Sequence, residues 1–534
     1  MKKEYLLLAV IIIFAAFLRL WQLGVVPVGV THDELGYIYN SYSISQTGKN
    51  VFGEFLPFLT WMNKGGWPFL PVPIYFSVPF FWLFGLSATT GRLLPALLGI
   101  FDVLLIYILI KQIFNKTPFA LLSAFFLAIS PWHLHFSRSA YDPNYALFFY
   151  LLSIVVFIYE VRNKRLPIFS FIAILFAVFS YRAMNALFPS LIILLIWYGV
   201  RVLKINKIQL LTFLSGICFI VLSLIFIIAL YGKAYTAEAQ LWSDSKMQED
   251  IDAQIRQAQG PLFVRRFFLN KPAYIVNKLR ENYVKAYSPE FLFLYTEPSK
   301  IYSIWSRGRI YFIDIVFIIL GIAYLFKVNK KAAILIVSFV LIGGLPGMIG
   351  GMPYSARNFF ISAFLPILSA AGVLFLLDKA TIGKIRIVVI FLTILVYAYV
   401  FGSYVFDYYG RYTLYGGEAW AKSLKDMSFE VMENRQKYNK IIIGTSSFGD
   451  IMQYAFYAKL NPLAIQNAWK QRKKDKFSIE NVTFISGCLG DQEVNISTLY
   501  IVHENCNKYL VPNSLIKDYP GNTVWKIYKN VHGL

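Results

Sequence analysis

The sequence predicts an α-helical polytopic membrane protein that ends in a small α/β domain. Apolar residues make up 57% of its 534 residues and charged residues only 15%, and its mean hydropathy is +0.55. A water-soluble protein carries about a quarter charged residues, so a purely soluble enzyme is excluded. The net charge of +22 does not indicate a nucleic-acid partner, because lysine and arginine lie in short clusters between long apolar runs. Such clusters are typical of loops that face the cytoplasm.

Eleven apolar runs can each cross a bilayer as a helix, for which about 20 residues are needed. A twelfth run, 69–86, contains Pro71, Pro73 and Pro79, and proline breaks a straight helix. We therefore expect this twelfth run to lie at the membrane surface without crossing. The eleven predicted spans lie near residues 4–22, 92–110, 118–132, 145–161, 167–181, 186–202, 209–231, 310–327, 332–350, 358–377 and 385–404.

The basic clusters between these runs predict the orientation of the chain. All six clusters fall on one side of the membrane only if 69–86 does not cross it. The positive-inside rule makes this side the cytoplasmic one. The N-terminus is therefore predicted on the cytoplasmic side of the cell membrane and the C-terminus on the outer side. The clusters are Lys2/Lys3, Lys111/Lys116, Arg162/Lys164/Arg165, Arg201/Lys204/Lys207, Lys327/Lys330/Lys331 and Lys379/Lys384/Arg386.

The chain is predicted to divide into two domains. Residues 1–404 form the transmembrane domain, with outer loops at 23–91 and 232–309, and residues 405–534 form a separate extracytoplasmic domain. In this tail, β-favouring strings at 441–444, 482–485 and 498–502 alternate with a helical stretch at 450–459, which is typical of a compact α/β unit. Cys488 and Cys506 lie in the tail and can form a disulfide only in an oxidising compartment.

Two adjacent carboxylates, Asp33 and Glu34, directly follow the first span and begin an amphipathic stretch. Backbone N–H groups at a helix N-terminus favour ionised carboxylates. Neighbouring side chains on a helix point about 100° apart, so the pair cannot act on one atom together. One carboxylate can accept a proton while the other binds a metal, a sugar hydroxyl or a cation. The pair can equally cap an interfacial helix, since acidic residues are common in first turns, and the sequence leaves both readings open.

A third carboxylate, Asp142, is predicted on the same face of the membrane as Asp33, at the mouth of a helix. A general base and a supporting partner can come from two such segments, although Asp142 before Pro143 also fits a helix cap. Cations at the outer ends of the apolar runs can simply reach water, but those beside glycine-rich loops can also hold a lipid phosphate. The cations at these outer ends are Lys64, Arg92, Arg138, Arg182 and Arg357, and of these Lys64 and Arg357 lie beside glycine-rich stretches.

Asp102, ten residues beyond Arg92, is predicted about 15 Å deep in its span by helical rise. An intramembrane carboxylate is usually functional or paired, but at this depth Asp102 is too far from the outer face to join the same reaction. His133 and His135 have no cysteine or carboxylate at metal-ligand spacing, so they are expected to form hydrogen bonds and not to bind zinc.

Four local patterns occur in an order that resembles the GT-C membrane glycosyltransferases, in the branch of the protein O-mannosyltransferases and aminoarabinose transferases. Arg19-Leu-Trp precedes the acidic pair, with Tyr37 downstream. Pro73-Ile-Tyr75 leads to Leu83-Phe84-Gly85 and then Gly91-Arg92-Leu93. The third pattern runs from Ser130-Pro131 through Arg138 to Asp142-Pro143, and the fourth is Arg357 entering a helix that contains Pro366. The likeness covers about residues 1–400.

This resemblance implies transfer of a sugar from a polyprenyl phosphate to a hydroxyl on the extracytoplasmic side, with inversion at the anomeric carbon. The acceptor can be a protein, a lipid or a cell-wall polymer. Membrane lipids are also expected partners, because the chain is predicted to span the bilayer. The resemblance implies Asp33, Glu34 and Asp142 as catalytic residues and Lys64 as a ligand of the donor phosphate. We expect Arg182 and Arg357 to neutralise the same phosphate, with Arg19, Tyr37, Arg138 and Tyr354 as supporting residues. A divalent metal at Asp33 and Glu34 is an option, because hard cations prefer carboxylates, but no cofactor is required.

Two other functions remain open on the sequence. A lipid-linked sugar flippase or other transporter needs polar residues through the membrane midplane, and the predicted spans offer few beyond Asp102. A membrane anchor for the tail domain is the other function. An anchor needs only one span, so the eleven predicted spans argue against it.

Overall fold

The computed structural model describes residues 2–61, 68–232, 246–294, 299–304, 307–350, 354–380, 382–445, 447–472, 476–488, 497–506 and 511–529. The predicted phosphate ligand Lys64 lies outside these residues.

The described chain is mostly helical, with one larger sheet near its C-terminal end. The α-helices are α1 (Lys2–Leu20), α2 (His32–Thr47), α3 (Pro71–Phe84), α4 (Ala88–Phe114), α5 (Thr117–Ala128), α6 (Pro131–Ser137), α7 (Asp142–Arg162), α8 (Ile168–Val178), α9 (Met184–Tyr198), α10 (Lys207–Tyr231), α11 (Lys246–Gln257), α12 (Leu262–Phe268), α13 (Lys271–Lys285), α14 (Asp314–Val328), α15 (Lys330–Ile342), α16 (Leu345–Ile349), α17 (Leu365–Lys379), α18 (Gly383–Phe406), α19 (Tyr412–Tyr415), α20 (Lys422–Asn434), α21 (Phe448–Tyr457) and α22 (Pro462–Gln471). Short π-helical segments are Gly199–Leu203, Glu290–Leu294 and Asp407–Arg411, and 3₁₀ segments are Phe359–Ala363 and Glu418–Trp420. The strands are β1 (Thr60–Trp61), β2 (Pro68–Phe69), β3 (Lys440–Thr445), β4 (Lys476–Ile479), β5 (Val482–Ser486), β6 (Thr498–His503), β7 (Ser514–Lys517) and β8 (Thr523–Tyr528).

Helices occur at all eleven predicted spans. Among the described residues, seven helical stretches are long and apolar enough to cross a membrane, and α5 with α6, bent by 61°, makes an eighth if the pair is one broken span. Three more predicted spans form α1, α8 and α14, which do not meet the same criteria of length and composition. The seven stretches are Ala88–Phe114, Asp142–Arg162, Met184–Leu203, Lys207–Tyr231, Lys330–Ile349, Phe359–Lys379 and Gly383–Tyr415.

The proline-rich run predicted to stay at the membrane surface forms α3. This helix begins at Pro71, where the missing N–H of proline costs nothing, and it contains Pro79. Its 14 residues rise about 21 Å, which is short of the ~30 Å hydrocarbon core of a bilayer.

The chain folds into two compact units. The helical unit comprises Met1–Arg19, Leu97–Ser137 and Asp142–Ser403, and the loop–tail unit comprises Leu20–Ala96, Arg138–Tyr141 and Tyr404–Leu534. This division differs from the predicted one at residue 404, because the tail packs with the first loop in one core. Local sequence patterns carry no signal for such a long-range contact.

In the helical unit, α14 and α17 approach backbone to backbone through two glycines. A Cβ atom built on Gly321 would lie 1.9 Å from the carbonyl oxygen of Leu368, and one on Gly372 would lie 2.0 Å from that of Phe317. Only glycine allows this separation, which is a common way for membrane helices to pack.

The tail contains a six-stranded sheet in the order β4-β5-β3-β6-β8-β7. The central strand β3 pairs in parallel with both β5 and β6, while the outer pairs are antiparallel. Strands β3, β5 and β6 lie at the three predicted β-favouring strings, and α21 lies at the predicted helical stretch. One face of the sheet buries Ile441 and Ile443, and the other buries Ile442. Cys488 and Cys506 form a disulfide.

Helix α2 lies in the same hydrophobic core as the tail. Leu35, Ile38 and Tyr39 of α2 belong to the cluster that includes Met452 of α21 and Ile465 of α22. The Tyr39 hydroxyl also donates to the carbonyl of Leu460 at 2.9 Å. The tail therefore fixes the helix that carries the acidic pair.

Candidate functional site

The first turn of α2 places the two adjacent carboxylates in opposite environments. The helix is capped by Thr31, whose hydroxyl accepts from the Glu34 N–H at 3.2 Å, while a Glu34 oxygen accepts from the Thr31 N–H at 3.4 Å. This reciprocal capping box fixes where the helix starts. Asp33 is exposed, whereas Glu34 is fully buried.

Glu34 forms a buried, two-pronged ion pair with Arg92, and neither side chain is exposed to solvent. Arg92 donates from Nε to Oε1 at 2.9 Å and from Nη2 to Oε2 at 2.8 Å. The Ala140 N–H also donates a hydrogen bond to Oε1 at 2.8 Å. Because both Glu34 oxygens already accept hydrogen bonds, a metal or a substrate proton would have to displace the guanidinium to reach this carboxylate.

Arg92 also fixes the backbone that leads into α2. Its guanidinium donates to the carbonyl oxygens of Leu23 at 3.3 Å, Pro27 at 2.9 Å and Gly29 at 2.5 Å. The ring of Trp420 lies 5.4 Å from the guanidinium carbon. Arg92 was among the cations expected at the outer ends of spans, but its role as the partner of Glu34 was missed. The Gly91-Arg92-Leu93 pattern was the available signal.

The turn Arg138–Tyr141 contacts the same segment. Arg138, a predicted supporting residue, is fully buried and donates from Nη2 to the carbonyl of Val26 at 2.9 Å. Its guanidinium also lies over the rings of Tyr408 and Tyr409. The Tyr141 hydroxyl is 2.6 Å from the hydroxyl of Thr31, which caps α2.

The tail donates hydrogen bonds to two of the three carbonyls that precede the helix cap. Lys425 donates to Val28 at 2.9 Å, and Gln453 donates to Val30 at 2.6 Å. A Cβ atom on Gly29 would lie 1.9 Å from the carbonyl oxygen of Trp420, so glycine is required there. Burial lowers the pKa of the Lys425 ammonium.

Asp450 of the tail faces His32, the residue before Asp33. The His32 Nε2 lies 3.9 Å from Asp450 Oδ1. Burial raises the pKa of the Asp450 carboxyl, and a hydrogen bond from Thr445 and the charge of His32 oppose that shift.

Replacing Gln453 by leucine is expected to lower stability by about 1–3 kcal/mol, because it leaves the Val30 carbonyl buried without its donor. The measurement is the apparent melting temperature of the purified chain. Gln436→Leu serves as the matched control, since Gln436 is exposed. Equal melting temperatures for the two variants would show that the tail does not hold this segment.

Tyr37, another predicted supporting residue, packs inside the first loop. Its ring lies 4.4 Å from that of Phe69, and both belong to a cluster with Ile44 and Ile74. A Cβ atom on Gly36 would lie 2.3 Å from the Phe69 ring. Tyr37 therefore fixes α2 against α3.

Arg19, also predicted as supporting, joins a buried polar chain in the helical unit. Its Nη2 lies 2.9 Å from His133 Nδ1, and His133 Nε2 lies 3.1 Å from Asp102 Oδ2. Because a guanidinium can only donate, Nδ1 accepts and Nε2 carries the proton that Asp102 accepts. Asp102 is thus paired, and His133 forms hydrogen bonds as expected.

The other predicted ligands also lie in the helical unit. Asp142 begins α7 and is half-buried, as is Arg182 between α8 and α9. Arg357 donates to the carbonyl of Gly350, and its guanidinium lies 5.1 Å from the ring centre of Tyr354. Asp33 and Glu34 belong to the loop–tail unit, so the convergence of all these residues on one cavity stays a prediction.

Arg309 is a buried cation that sequence reasoning missed. It donates to the Ser355 hydroxyl at 2.6 Å and to the Phe291 carbonyl at 2.5 Å, and its guanidinium stacks on the Phe291 ring at 3.7 Å. The Trp132 indole donates to the Ser355 carbonyl at 3.2 Å. These contacts fix the segment that carries Arg357. Arg309 lies at the end of an apolar run, where cations without a function are also common, so its sequence position carried no signal.

Comparison with known proteins agrees with this architecture. Residues 68–227 match the family model described as dolichyl-phosphate-mannose-protein mannosyltransferase. ArnT from Cupriavidus metallidurans bound to undecaprenyl phosphate is similar in structure, with a TM-score of 0.51 and 10% identity, over 99% of this chain and 98% of ArnT. No curated protein sequence matches the chain significantly.

A second similar structure is the Archaeoglobus fulgidus oligosaccharyltransferase tethered with an acceptor peptide. It has a TM-score of 0.50 and 15% identity, and covers 85% of this chain. The chain spans 63% of the length of that oligosaccharyltransferase. The resemblance predicted from the sequence is confirmed: this multi-span membrane chain has the fold of the GT-C glycosyltransferases.

Proposed function

We propose that this chain is a glycosyltransferase that moves a sugar from a polyprenyl phosphate to a hydroxyl of an acceptor outside the cytoplasm, with inversion at the anomeric carbon. The observation that carries the proposal is the different exposure of two adjacent carboxylates on α2. Glu34 is buried and paired with Arg92, whereas its neighbour Asp33 is exposed. The similarity to a structure bound to undecaprenyl phosphate over 99% of the chain supports this class of donor.

In this reaction Asp33 is the general base. It takes the proton of the acceptor hydroxyl as that oxygen attacks the anomeric carbon, and the bond from this carbon to the phosphate oxygen breaks. Polyprenyl phosphate leaves with the electron pair and needs no acid, provided that cations neutralise its charge. We assign that role to Lys64, Arg182 and Arg357.

The remaining residues are proposed to position the base and the acceptor. Glu34 orients the turn that carries Asp33, through Arg92 and the Ala140 N–H. Asp142 is proposed to orient the acceptor or the base. It directly follows Tyr141, whose hydroxyl bonds the α2 cap residue Thr31. The proposal requires no metal, because the Glu34 oxygens are already bonded.

The test is a transfer assay with the full chain in nanodiscs and a panel of radiolabelled undecaprenyl-phosphate sugars. Membrane protein, lipid and cell-wall polymer are supplied as three separate acceptors. We expect one labelled sugar to move from the lipid-linked fraction into one of these acceptors. Mass spectrometry of surface glycans from cells with and without the protein then identifies the product.

The same assay separates transfer from transport, for which the comparisons give no support. A flippase would move the labelled donor across the membrane while the sugar stayed lipid-linked. Label that remains lipid-linked with all three acceptors and with correctly folded protein would overturn the proposed transfer.

A further inference from the structure

The loop between α10 and α14 carries an aromatic and basic surface that the proposed reaction does not use. Helix α12 has no buried residue, and its phenylalanines Phe263, Phe267 and Phe268 are 75%, 73% and 66% exposed. Soluble surfaces rarely expose three neighbouring phenylalanines, so this exposure indicates an apolar partner. We call this surface the α12–α13 patch and define it as Phe263, Arg266, Phe267, Phe268, Lys271 and Arg280.

Residues outside the patch form a small core within the loop. Met247, Ile251 and Tyr274 form a small core between α11 and α13, and the Tyr274 hydroxyl donates to Asp250 at 2.8 Å. Arg265 joins α12 to the end of α11 by donating to the Ile255 carbonyl at 2.8 Å. The phenylalanines of α12 therefore point away from a loop that already has its own core.

Helix α13 is attached to the end of a candidate span. The Tyr283 and Tyr287 hydroxyls donate to the Leu341 carbonyl at 3.0 and 2.6 Å, and the Gly344 N–H donates to the Tyr287 hydroxyl at 2.9 Å. Leu341 and Gly344 belong to the stretch Lys330–Ile349, which can cross a membrane. Tyrosines at the end of a span are typical of the headgroup region, so we expect α13 at that depth.

The charges of this segment complement an anionic surface. Residues 261–285 contain six lysines and arginines and one acidic residue, Glu281, which pairs with Lys278 and Lys285. Within the described residues, Arg266, Lys271 and Arg280 form no ion pair, and all three are exposed. Exposed arginine and lysine on the same loop as exposed phenylalanine is the combination that binds anionic headgroups and inserts between acyl chains.

We propose that the α12–α13 patch is a lipid-binding site, which takes anionic phospholipid headgroups in the leaflet at this end of the spans. Arg266, Lys271 and Arg280 bind the phosphates, and Phe263, Phe267 and Phe268 enter the boundary between headgroups and acyl chains. The site anchors the loop that connects α10 to α14 and does not depend on the proposed transfer reaction.

The binding test is native mass spectrometry of the full chain in detergent, with phosphatidylglycerol or phosphatidylcholine added. Each basic side chain near an anionic surface contributes about fivefold, so R266Q/K271Q/R280Q should bind phosphatidylglycerol on the order of 100-fold more weakly. Binding of phosphatidylcholine should not change. The control K437Q/K470Q/K517Q removes three exposed tail lysines and should leave both lipids bound as in the unmutated chain.

The insertion test is a fluorescent label at F267C in a C218S background, after reconstitution into phosphatidylglycerol vesicles. Quenching by lipid-attached spin labels is expected at this position and not at L463C, a tail position that is 52% exposed. Equal quenching at both positions, or equal phosphatidylglycerol binding by the two triple variants, would overturn the proposal. Both readouts require only correctly folded protein, which size-exclusion chromatography checks.

Discussion

Replacing Arg92 by methionine is expected to destabilise the loop–tail unit by about 3–5 kcal/mol, because the change leaves the Glu34 carboxylate buried without its partner. Three backbone carbonyls before α2 lose their donor in the same variant. We expect a large loss of folded protein, measured by fluorescence-detected size-exclusion chromatography after heating. Transfer activity should fall with the folded fraction.

The matched control is Lys422→Ala, which breaks the pair between Lys422 and Asp426 in the same unit. Those side chains are 42% and 35% exposed, and an exposed pair contributes about 0–1 kcal/mol. The double variant Glu34→Gln/Arg92→Met should recover part of the loss, since no unpaired charge stays buried. If Arg92→Met is as stable as Lys422→Ala, the buried pair does not organise the site.

The helices could be predicted because their signals are local. The predicted spans coincide with helices since apolar length and proline content act within each segment, as the short α3 with Pro71 and Pro79 illustrates. The parallel strands β3, β5 and β6 were also found at their predicted positions, because buried strands are continuous apolar strings.

The partners of the site residues could not be predicted, because they are far apart in sequence. Glu34 and Arg92 are separated by 58 residues, and Gln453 reaches Val30 across 423 residues. A buried arginine and a solvated one at the end of an apolar run have the same local pattern. For the same reason the sequence could not tell which of the adjacent carboxylates is buried.

Replacing Asp33 by asparagine is expected to reduce transfer by about 10²- to 10⁴-fold, the usual contribution of a general base. Asparagine has nearly the same shape but cannot take the proton of the acceptor hydroxyl. Because Asp33 is exposed in the first turn of α2, we expect its replacement to change stability by about 1 kcal/mol or less. The loss should appear in kcat, with the KM for the polyprenyl-phosphate sugar unchanged.

The neighbouring carboxylate provides the control, since Glu34→Gln makes the same chemical change one residue away. There the expected defect is loss of folded protein, because Glu34 is buried against Arg92, and the remaining folded fraction should retain the base. The two variants therefore separate catalysis from positioning on one turn of α2. Full activity of Asp33→Asn at normal stability would exclude Asp33 as the base and make Asp142 the next carboxylate to replace.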